Sequence, residues 1–140
     1  MNVTIKQIEG ITFIGKGETN HWVTMDGPKQ FNGSEAGSRP MELLLISLGG
    51  CSGSDVVSIL TKKRVSIDQL EINVTGDRED THPKVFSKIH LEYVFYGNNL
   101  PVQDLERAID LSQNKYCPIS AMLRKSCEIT HSYRIEEKND

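Results

Sequence analysis

Residues 39 to 60 read "RPMELLLISLGGCSGSDVVSIL", and this stretch decides the fold. Pro40 suits the first turn of a helix, because proline has no N–H to lose there and its φ angle is already helical. Glu42 follows within that turn, where a carboxylate meets the positive end of the helix dipole. We therefore predict a long helix that runs from Pro40 to about Lys63.

The first half of this helix is apolar on every side. Met, Leu and Ile occupy most positions from 41 to 48, which predicts a helix that is surrounded by protein. Gly49, Gly50 and Gly53 would each cost roughly 0.5–1 kcal/mol relative to alanine unless close packing compensated. We therefore expect a second helix to pass close to these glycines.

The rest of the chain predicts an α+β fold in a single domain, residues 1–140. Apolar and polar residues alternate from Leu70 to Thr75 and again from Lys88 to Phe95, a pattern typical of half-buried antiparallel strands. The remaining predicted elements are strands at Val3–Ile8, at Ile11–Ile14 and in "HWVTMDG", a helix carrying Val102 to Ile109, a short helix after Cys117, and a last strand from Cys127 to Ile135.

Charge and hydropathy exclude several classes of partner. The chain has 140 residues and a net charge of −3, so no basic field attracts nucleic acid or anionic lipid. The first ten residues, "MNVTIKQIEG", lack the pattern of a signal peptide. The apolar run Met41 to Leu48 is shorter than the ~20 residues that cross a bilayer. We expect a cytoplasmic protein without nucleic-acid or membrane partners.

Three cysteines stand at positions 51, 117 and 127, without a CxxC pair. In a reducing compartment any pairing between them is expected to be transient and catalytic. Cys117 precedes Pro118 and is predicted to cap a short helix, so that its sulfur faces helix amides that stabilise a thiolate. Cys127 falls on the apolar face of the last strand and is predicted to contribute to packing.

Two stretches, "RPMELLLISLGGCSGSDVVSIL" and "KYCPISAML", with "HPKVFSKIHLEYVF" between them, resemble the OsmC/Ohr family of organic hydroperoxide reductases. The resemblance implies an α+β fold in which two chains interlock as a homodimer. Antiparallel sheets would surround paired central helices, and each active site would lie at the interface.

The resemblance also implies a reaction. Cys51 matches the peroxidatic cysteine, whose thiolate attacks the distal oxygen of a small organic hydroperoxide and becomes a sulfenic acid. Cys117 matches the resolving cysteine, which then closes a disulfide. A dithiol reductant, lipoyl-type or thioredoxin-like, would reset the enzyme. No cofactor and no metal are expected.

The chain departs from the family pattern around the thiolate. In the family an arginine from the N-terminal strand region and a glutamate that directly follows the proline hold the sulfur. Here Glu18 stands roughly where the arginine is expected, and the glutamate, Glu42, comes one position late. Arg39 and His21 are the available cations, and we take Arg39 and Glu42 as the candidate activating pair.

Two classes of function remain open. Retention of Cys51 and Cys117 favours a peroxidase, and the missing arginine favours a non-enzymatic dimer that binds a small apolar ligand. Asp55, four residues after Cys51, would raise the pKa of that thiol if it faces the sulfur. The plain alternative to a catalytic Cys51 is that this residue only packs in the interior as a small hydrophobic side chain. A metal site is disfavoured, because the sequence does not cluster soft ligands.

Overall fold

A computed structural model describes residues 1–137 of the chain. The chain forms two compact units, one of residues 1–44 and one from residue 45 onward. Helix α1 (Pro40–Lys62) begins in the first unit and continues into the second. The long helix predicted from Pro40 is therefore confirmed, with its end one residue earlier than expected.

The first unit contains a three-stranded antiparallel sheet in the order β1-β2-β3. Its strands are β1 (Thr4–Glu9), β2 (Thr12–Lys16) and β3 (Trp22–Met25). Each predicted strand of this region is present with shifted ends. The following loop contains one 3-10 turn, Lys29–Phe31.

The carboxylate of Asp26 organises that loop from a position that is 2% exposed. It accepts hydrogen bonds from the Thr12 hydroxyl at 3.0 Å and from the backbone N–H groups of Gly27, Ser34 and Ala36 at 2.7, 3.1 and 3.1 Å. Burial raises the pKa of Asp26, but these four hydrogen bonds outweigh burial and hold the pKa below its ordinary value. The loop is thus tied to one buried negative charge.

The second unit is built on a three-stranded sheet in the order β4-β5-β6. β4 (Gln69–Arg78) and β5 (Phe86–Tyr96) are antiparallel, as predicted, and β6 (Glu128–Glu136) runs parallel to β5. A parallel neighbour requires a crossover connection. That connection contains α2 (Val102–Leu111), a π-helical turn (Ser112–Tyr116) and α3 (Pro118–Leu123).

β5 is the central strand of this sheet and forms the core of the unit. Its alternating residues Ile89, Leu91 and Tyr93 are fully buried, and so are Val94 and Phe95. The alternation predicted a half-buried strand, whereas the second half of β5 is buried on both faces.

α1 has a buried stripe along one side. Leu48, Ser52, Val56 and Leu60 recur every four residues and are at most 1% exposed, as expected for positions that share one face of a helix. Ile46, in contrast, is 58% exposed. A single chain therefore does not surround the apolar half of the helix as the sequence predicted.

Gly49 and Gly53 of α1 lie against a strand of the same chain, and the second helix predicted beside the glycines of α1 stays a prediction for the expected dimer. A Cβ at Gly49 would lie 3.1 Å from Val74 Cγ2, and one at Gly53 would lie 2.9 Å from Ile72 Cδ1. Both contacts are on β4, so the helix needs these glycines to approach the sheet closely. A Cβ at Gly50 would meet nothing within 4 Å, so this chain does not explain that glycine.

By length and composition α1 also meets the requirement for a helix that crosses a membrane, and among the described residues it is the one helix that does. The unbroken apolar run from Met41 to Leu48 is only the first part of this helix, which continues to Lys62. Core helices of soluble proteins have the same length and composition, so this property does not identify a membrane protein.

Candidate active site

The fold brings Cys51, Asp55 and Cys117 together. The two Sγ atoms and a carboxylate oxygen of Asp55 all lie within 4.8 Å of one another. Cys51 and Asp55 are one helical turn apart on α1, and both are half-buried. Cys117 reaches them from the start of α3 and is 2% exposed. Both thiols are free, and the two cysteines predicted to react with each other are neighbours.

Cys117 is the N-cap of α3, as predicted. Its backbone is extended, with φ −70° and ψ 105°, and Pro118 is the first helical residue. Its Sγ accepts a hydrogen bond from the Ser120 N–H at 3.4 Å. The Cys117 N–H donates to the Ser112 carbonyl at 2.9 Å, which closes the π-helical turn before the cap. This turn positions the cysteine against α1.

The surroundings of Cys51 disfavour its thiolate. Burial raises the pKa of Cys51 to about 11, helped by a hydrogen bond and negative charge at Cys117 and by the charge of Asp55, and opposed by a hydrogen bond from the Ile119 backbone. The predicted effect of Asp55 on this thiol is thus confirmed in direction. Within the single chain Cys51 is a neutral thiol at pH 7.

A buried network of polar side chains lies beside the two cysteines. Ser52 Oγ is 2.6 Å from the Tyr93 hydroxyl and 2.8 Å from Ser112 Oγ. The amide nitrogen of Gln113 donates to both Ser52 Oγ, at 3.0 Å, and the Tyr93 hydroxyl, at 2.8 Å. All four residues are at most 3% exposed. The polar groups of these four side chains form hydrogen bonds with one another, and a satisfied network of this kind favours a single side-chain arrangement.

This network reaches the candidate site on one side and the surface on the other. Ser112 Oγ lies 3.2 Å from Asp55 Oδ2 and donates to it. On the other side, Gln113 Oε1 accepts from the Ser120 hydroxyl at 2.9 Å and from the exposed Arg124 guanidinium at 3.3 Å. The sequence does not reveal this network, because no local pattern pairs a serine of α1 with residues from β5 and the π-helical turn.

Arg39 and Glu42, the candidate activating pair, contact each other in the first unit through the Arg39 backbone. The Arg39 backbone N–H donates to Glu42 Oε2 at 2.9 Å, so this carboxylate satisfies an amide at the start of α1. Within residues 1–137 the ion pairs do not join the Arg39 guanidinium to Glu42. His21, the other candidate cation, is exposed before β3.

Cys127 is separate from this cluster. It lies just before β6, is 9% exposed, and its thiol donates to the Leu123 carbonyl at 3.4 Å. Burial raises the pKa of Cys127, and a hydrogen bond with Ser126 partly opposes this. The packing role predicted for Cys127 is confirmed.

The first unit contains a cleft that is separate from the cysteine cluster. An apolar cleft of about 410 Å³ is bordered by Ile5, Phe13, Met25 and Pro40, among others. Its walls present almost no polar groups, so it suits an apolar occupant.

Comparison with known proteins places the chain in a family. The sequence model of OsmC-like proteins matches residues 32–132, which include both cysteines of the cluster. The chain belongs to the OsmC-like family. This confirms the resemblance found in the sequence and the α+β OsmC-like fold.

Two other proteins are similar to this chain over nearly its whole length. Protein YhfA of Escherichia coli K12 is 39% identical over 135 residues, which are 96% of this chain and 98% of that protein. A hypothetical protein from Aquifex aeolicus VF5, solved by crystallography, is 35% identical and superposes with a TM-score of 0.86 over 99% of this chain and 97% of its own.

Proteins named for peroxide resistance share the fold at greater distance. The organic hydroperoxide resistance protein OsmC from Legionella pneumophila superposes with a TM-score of 0.71 at 15% identity, over 95% of this chain and 96% of its own. At that identity the likeness concerns the fold alone. Its activity is therefore no more than a hypothesis for this chain.

Proposed function

We propose that the chain is a thiol-dependent peroxidase that reduces organic hydroperoxides through a Cys51 sulfenic acid resolved by Cys117. The observation that carries this proposal is the approach of the two Sγ atoms to within 4.8 Å. Two free thiols at that separation need only a small rearrangement to form a disulfide. Family membership adds support, because OsmC-like relatives include proteins named for organic hydroperoxide resistance.

The reaction has two steps on the protein. The Cys51 thiolate attacks the distal peroxide oxygen and the O–O bond breaks. The alkoxide leaves and takes up a proton as an alcohol, and Cys51 carries a sulfenic acid. The Cys117 thiolate then attacks the Cys51 sulfur, the S–O bond breaks, and hydroxide leaves as water while a disulfide forms. An external dithiol, lipoyl-type or thioredoxin-like, reduces that disulfide by exchange.

Cys51 must lose its proton before it attacks, and its pKa of about 11 opposes this. In our proposal a cation supplied when the active assembly forms offsets that cost, and Arg39, held at its backbone by Glu42, is the candidate. A charge-assisted hydrogen bond from a guanidinium to a thiolate contributes about 1.5–3 kcal/mol.

We also propose a homodimer. Ile46 is 58% exposed and Gly50 faces open space in the single chain. A second copy would cover this apolar part of α1, as the family resemblance implies. We propose the cytoplasm as the compartment, since three free cysteines stay reduced there.

Apolar side chains near Cys117 favour organic over inorganic peroxide. Tyr116 and Met122 are 49% and 62% exposed, and both flank the Cys117 cap in sequence. An apolar peroxide that covers them gains about 25 cal/mol per Å² of buried surface. Hydrogen peroxide has no apolar surface to bury, so we propose that it is the poorer substrate.

A second candidate function is a non-enzymatic dimer that binds a small apolar ligand. Two observations favour it: the raised pKa of Cys51, which suppresses the thiolate, and the apolar cleft of about 410 Å³ in the first unit. In this alternative the cysteines contribute only to packing.

Peptide mapping after one equivalent of cumene hydroperoxide distinguishes the two candidates. The peroxidase forms a Cys51–Cys117 disulfide and leaves Cys127 reduced. Cys51→Ser abolishes peroxide consumption, whereas Cys117→Ser allows one turnover and leaves a sulfenic acid that dimedone traps at Cys51. Cys127→Ser is the matched control and keeps full activity. Recovery of three free thiols from the treated wild-type chain would reject the peroxidase in favour of the binding protein.

A further inference from the structure

Asp55 is the one member of the cysteine cluster that the proposed peroxidase does not use. Its carboxylate oxygen lies within 4.8 Å of both Sγ atoms. A negative charge at that place opposes the thiolate that peroxide reduction needs, and the charge of Asp55 does raise the pKa of Cys51. A carboxylate held against two thiols therefore calls for a different explanation.

The protein holds this carboxylate in place through buried side chains. Asp55 Oδ2 accepts a hydrogen bond from Ser112 Oγ at 3.2 Å. Ser112 is fully buried and lies 2.8 Å from Ser52, which in turn lies 2.6 Å from the Tyr93 hydroxyl. These hydrogen bonds orient the Asp55 carboxylate towards the two sulfurs. Metal-ligating carboxylates are commonly fixed by hydrogen bonds of this kind.

The two sulfurs are supported in the same way. Cys117 Sγ accepts the Ser120 N–H at 3.4 Å, and Cys51 takes a hydrogen bond from the Ile119 backbone. Backbone N–H groups directed at sulfur stabilise the charge of a coordinated thiolate. All three possible ligands thus have a protein partner behind them.

We propose that Cys51, Cys117 and Asp55 bind a thiophilic divalent cation, Zn²⁺, when both thiols are reduced. Two thiolates and a carboxylate are a ligand set that zinc accepts, with the fourth tetrahedral position left to water or an exogenous molecule. Two sulfurs on one tetrahedral zinc lie about 3.8 Å apart. The three donor atoms, within 4.8 Å of one another, need to move by roughly 1 Å at most.

This site does not depend on the proposed peroxidase. Zinc binding deprotonates the thiols outright, and the carboxylate then serves as a third ligand to the cation. The peroxidase must form its thiolate without a metal and against the charge of Asp55. A Cys51–Cys117 disulfide has no thiolate, so oxidation and metal binding exclude each other.

Cobalt titration of the fully reduced, metal-free chain under anaerobic conditions tests the proposal. We expect one Co²⁺ per chain, with thiolate charge-transfer absorption and the intense visible bands of a tetrahedral ion, and displacement of Co²⁺ by Zn²⁺. Cys51→Ser and Cys117→Ser remove the charge-transfer contribution of one sulfur each. Asp55→Asn, which keeps the shape of the side chain, weakens Zn²⁺ binding by about 10- to 100-fold in chelator competition.

The controls separate a built site from chance chelation by two thiols. Cys127→Ser leaves stoichiometry, spectrum and affinity unchanged. Ser112→Ala, which removes the hydrogen bond to Asp55, weakens binding by about 10-fold while circular dichroism shows a folded chain. Unchanged affinity and spectrum in Asp55→Asn, or the absence of a 1:1 complex in the wild type, would overturn the proposal, whatever the chain does with peroxides.

Discussion

The hydroxyls of Ser52 and Tyr93 lie 2.6 Å apart in the interior, although 41 positions separate them in the sequence. Ser52 directly follows Cys51 on α1, and Tyr93 is on the central strand β5. This contact fixes the rotation of the helix so that the neighbouring Cys51 turns towards the start of α3. The buried polar network is therefore both a packing element and the support of the candidate site.

Removal of the Ser52 hydroxyl is expected to destabilise the protein. Ser52→Ala leaves the Tyr93, Ser112 and Gln113 side chains each with one partner fewer in a buried place. Loss of a buried hydrogen-bond partner costs about 1–3 kcal/mol, so the free energy of unfolding in urea falls by that amount. Ser54→Ala is the control, because its exposed hydroxyl donates to the Gly50 carbonyl of the same helix. A loss equal to that of Ser52→Ala would contradict the prediction.

Asp55→Asn is expected to make Cys51 more acidic. The pKa of Cys51 is raised to about 11, and the Asp55 charge is one of the causes. Since the thiolate is the reactive form, the rate of Cys51 alkylation by iodoacetamide rises at lower pH in the variant than in the wild type. Peptide mapping of the reaction across pH 6–11 measures the midpoint, which is the pH at which the alkylation rate reaches half its maximum. The control is Asp77→Asn, at an exposed position. An identical midpoint in Asp55→Asn would show that the charge does not act on the sulfur.

Arg39→Ala tests the proposed activating cation in the assembled protein. If the guanidinium stabilises the thiolate, its removal raises the pKa of Cys51 further and slows alkylation at pH 7 to 8. Lys63→Ala is a suitable control, because that cation pairs with Asp104 at 2.7 Å. Superimposable pH profiles for Arg39→Ala and wild type would remove Arg39 from the site.

Gly50 and Gly53 are expected to tolerate bulk differently. Gly53→Leu forces side-chain atoms against Ile72 of the same chain, and overpacking of this kind costs about 1–3 kcal/mol of folding stability. A Cβ at Gly50 meets nothing within 4 Å among residues 1–137, so we expect the effect of Gly50→Leu to fall on the proposed dimer. Sedimentation velocity at micromolar concentration is expected to show a dimer for the wild type and dissociation for Gly50→Leu. A dimer of undiminished strength in Gly50→Leu would place the interface elsewhere.

The loop around Asp26 is expected to loosen in acid. The folded-state pKa of Asp26 is lowered by its hydrogen bonds despite burial, so the folded form binds a proton more weakly than the unfolded form. The stabilisation is complete above the unfolded pKa of about 3.9 and is lost as the pH falls through the lower folded pKa. Hydrogen exchange at the Ser34 and Ala36 amides, compared between pH 5 and pH 2, reports this loss. Asp26→Asn should show weak protection at both pH values, and full protection of the wild type at pH 2 would refute the assignment.

The sequence by itself predicted most of the helices and strands and pointed to Cys51 and Cys117 as the candidate site. The proline at position 40, the apolar run behind it and the alternation in β4 and β5 are local patterns, and local patterns depend on residues that are close along the chain. The Cys117 cap could be predicted for the same reason, because a cysteine before a proline at the first helical position is a feature of adjacent residues.

Tertiary structure decided what the local patterns left open. The glycines of α1 predicted a close neighbour, but only the fold shows that Gly49 and Gly53 meet the side chains of β4. The same is true of Asp55. Its position beside Cys51 follows from their spacing on α1, but its approach to Cys117 and its hydrogen bond from Ser112, 57 positions away, depend on the fold. Contacts between distant segments leave no periodicity or spacing in the sequence, because they depend on how the helix packs on the sheet and on which of its faces turns inward.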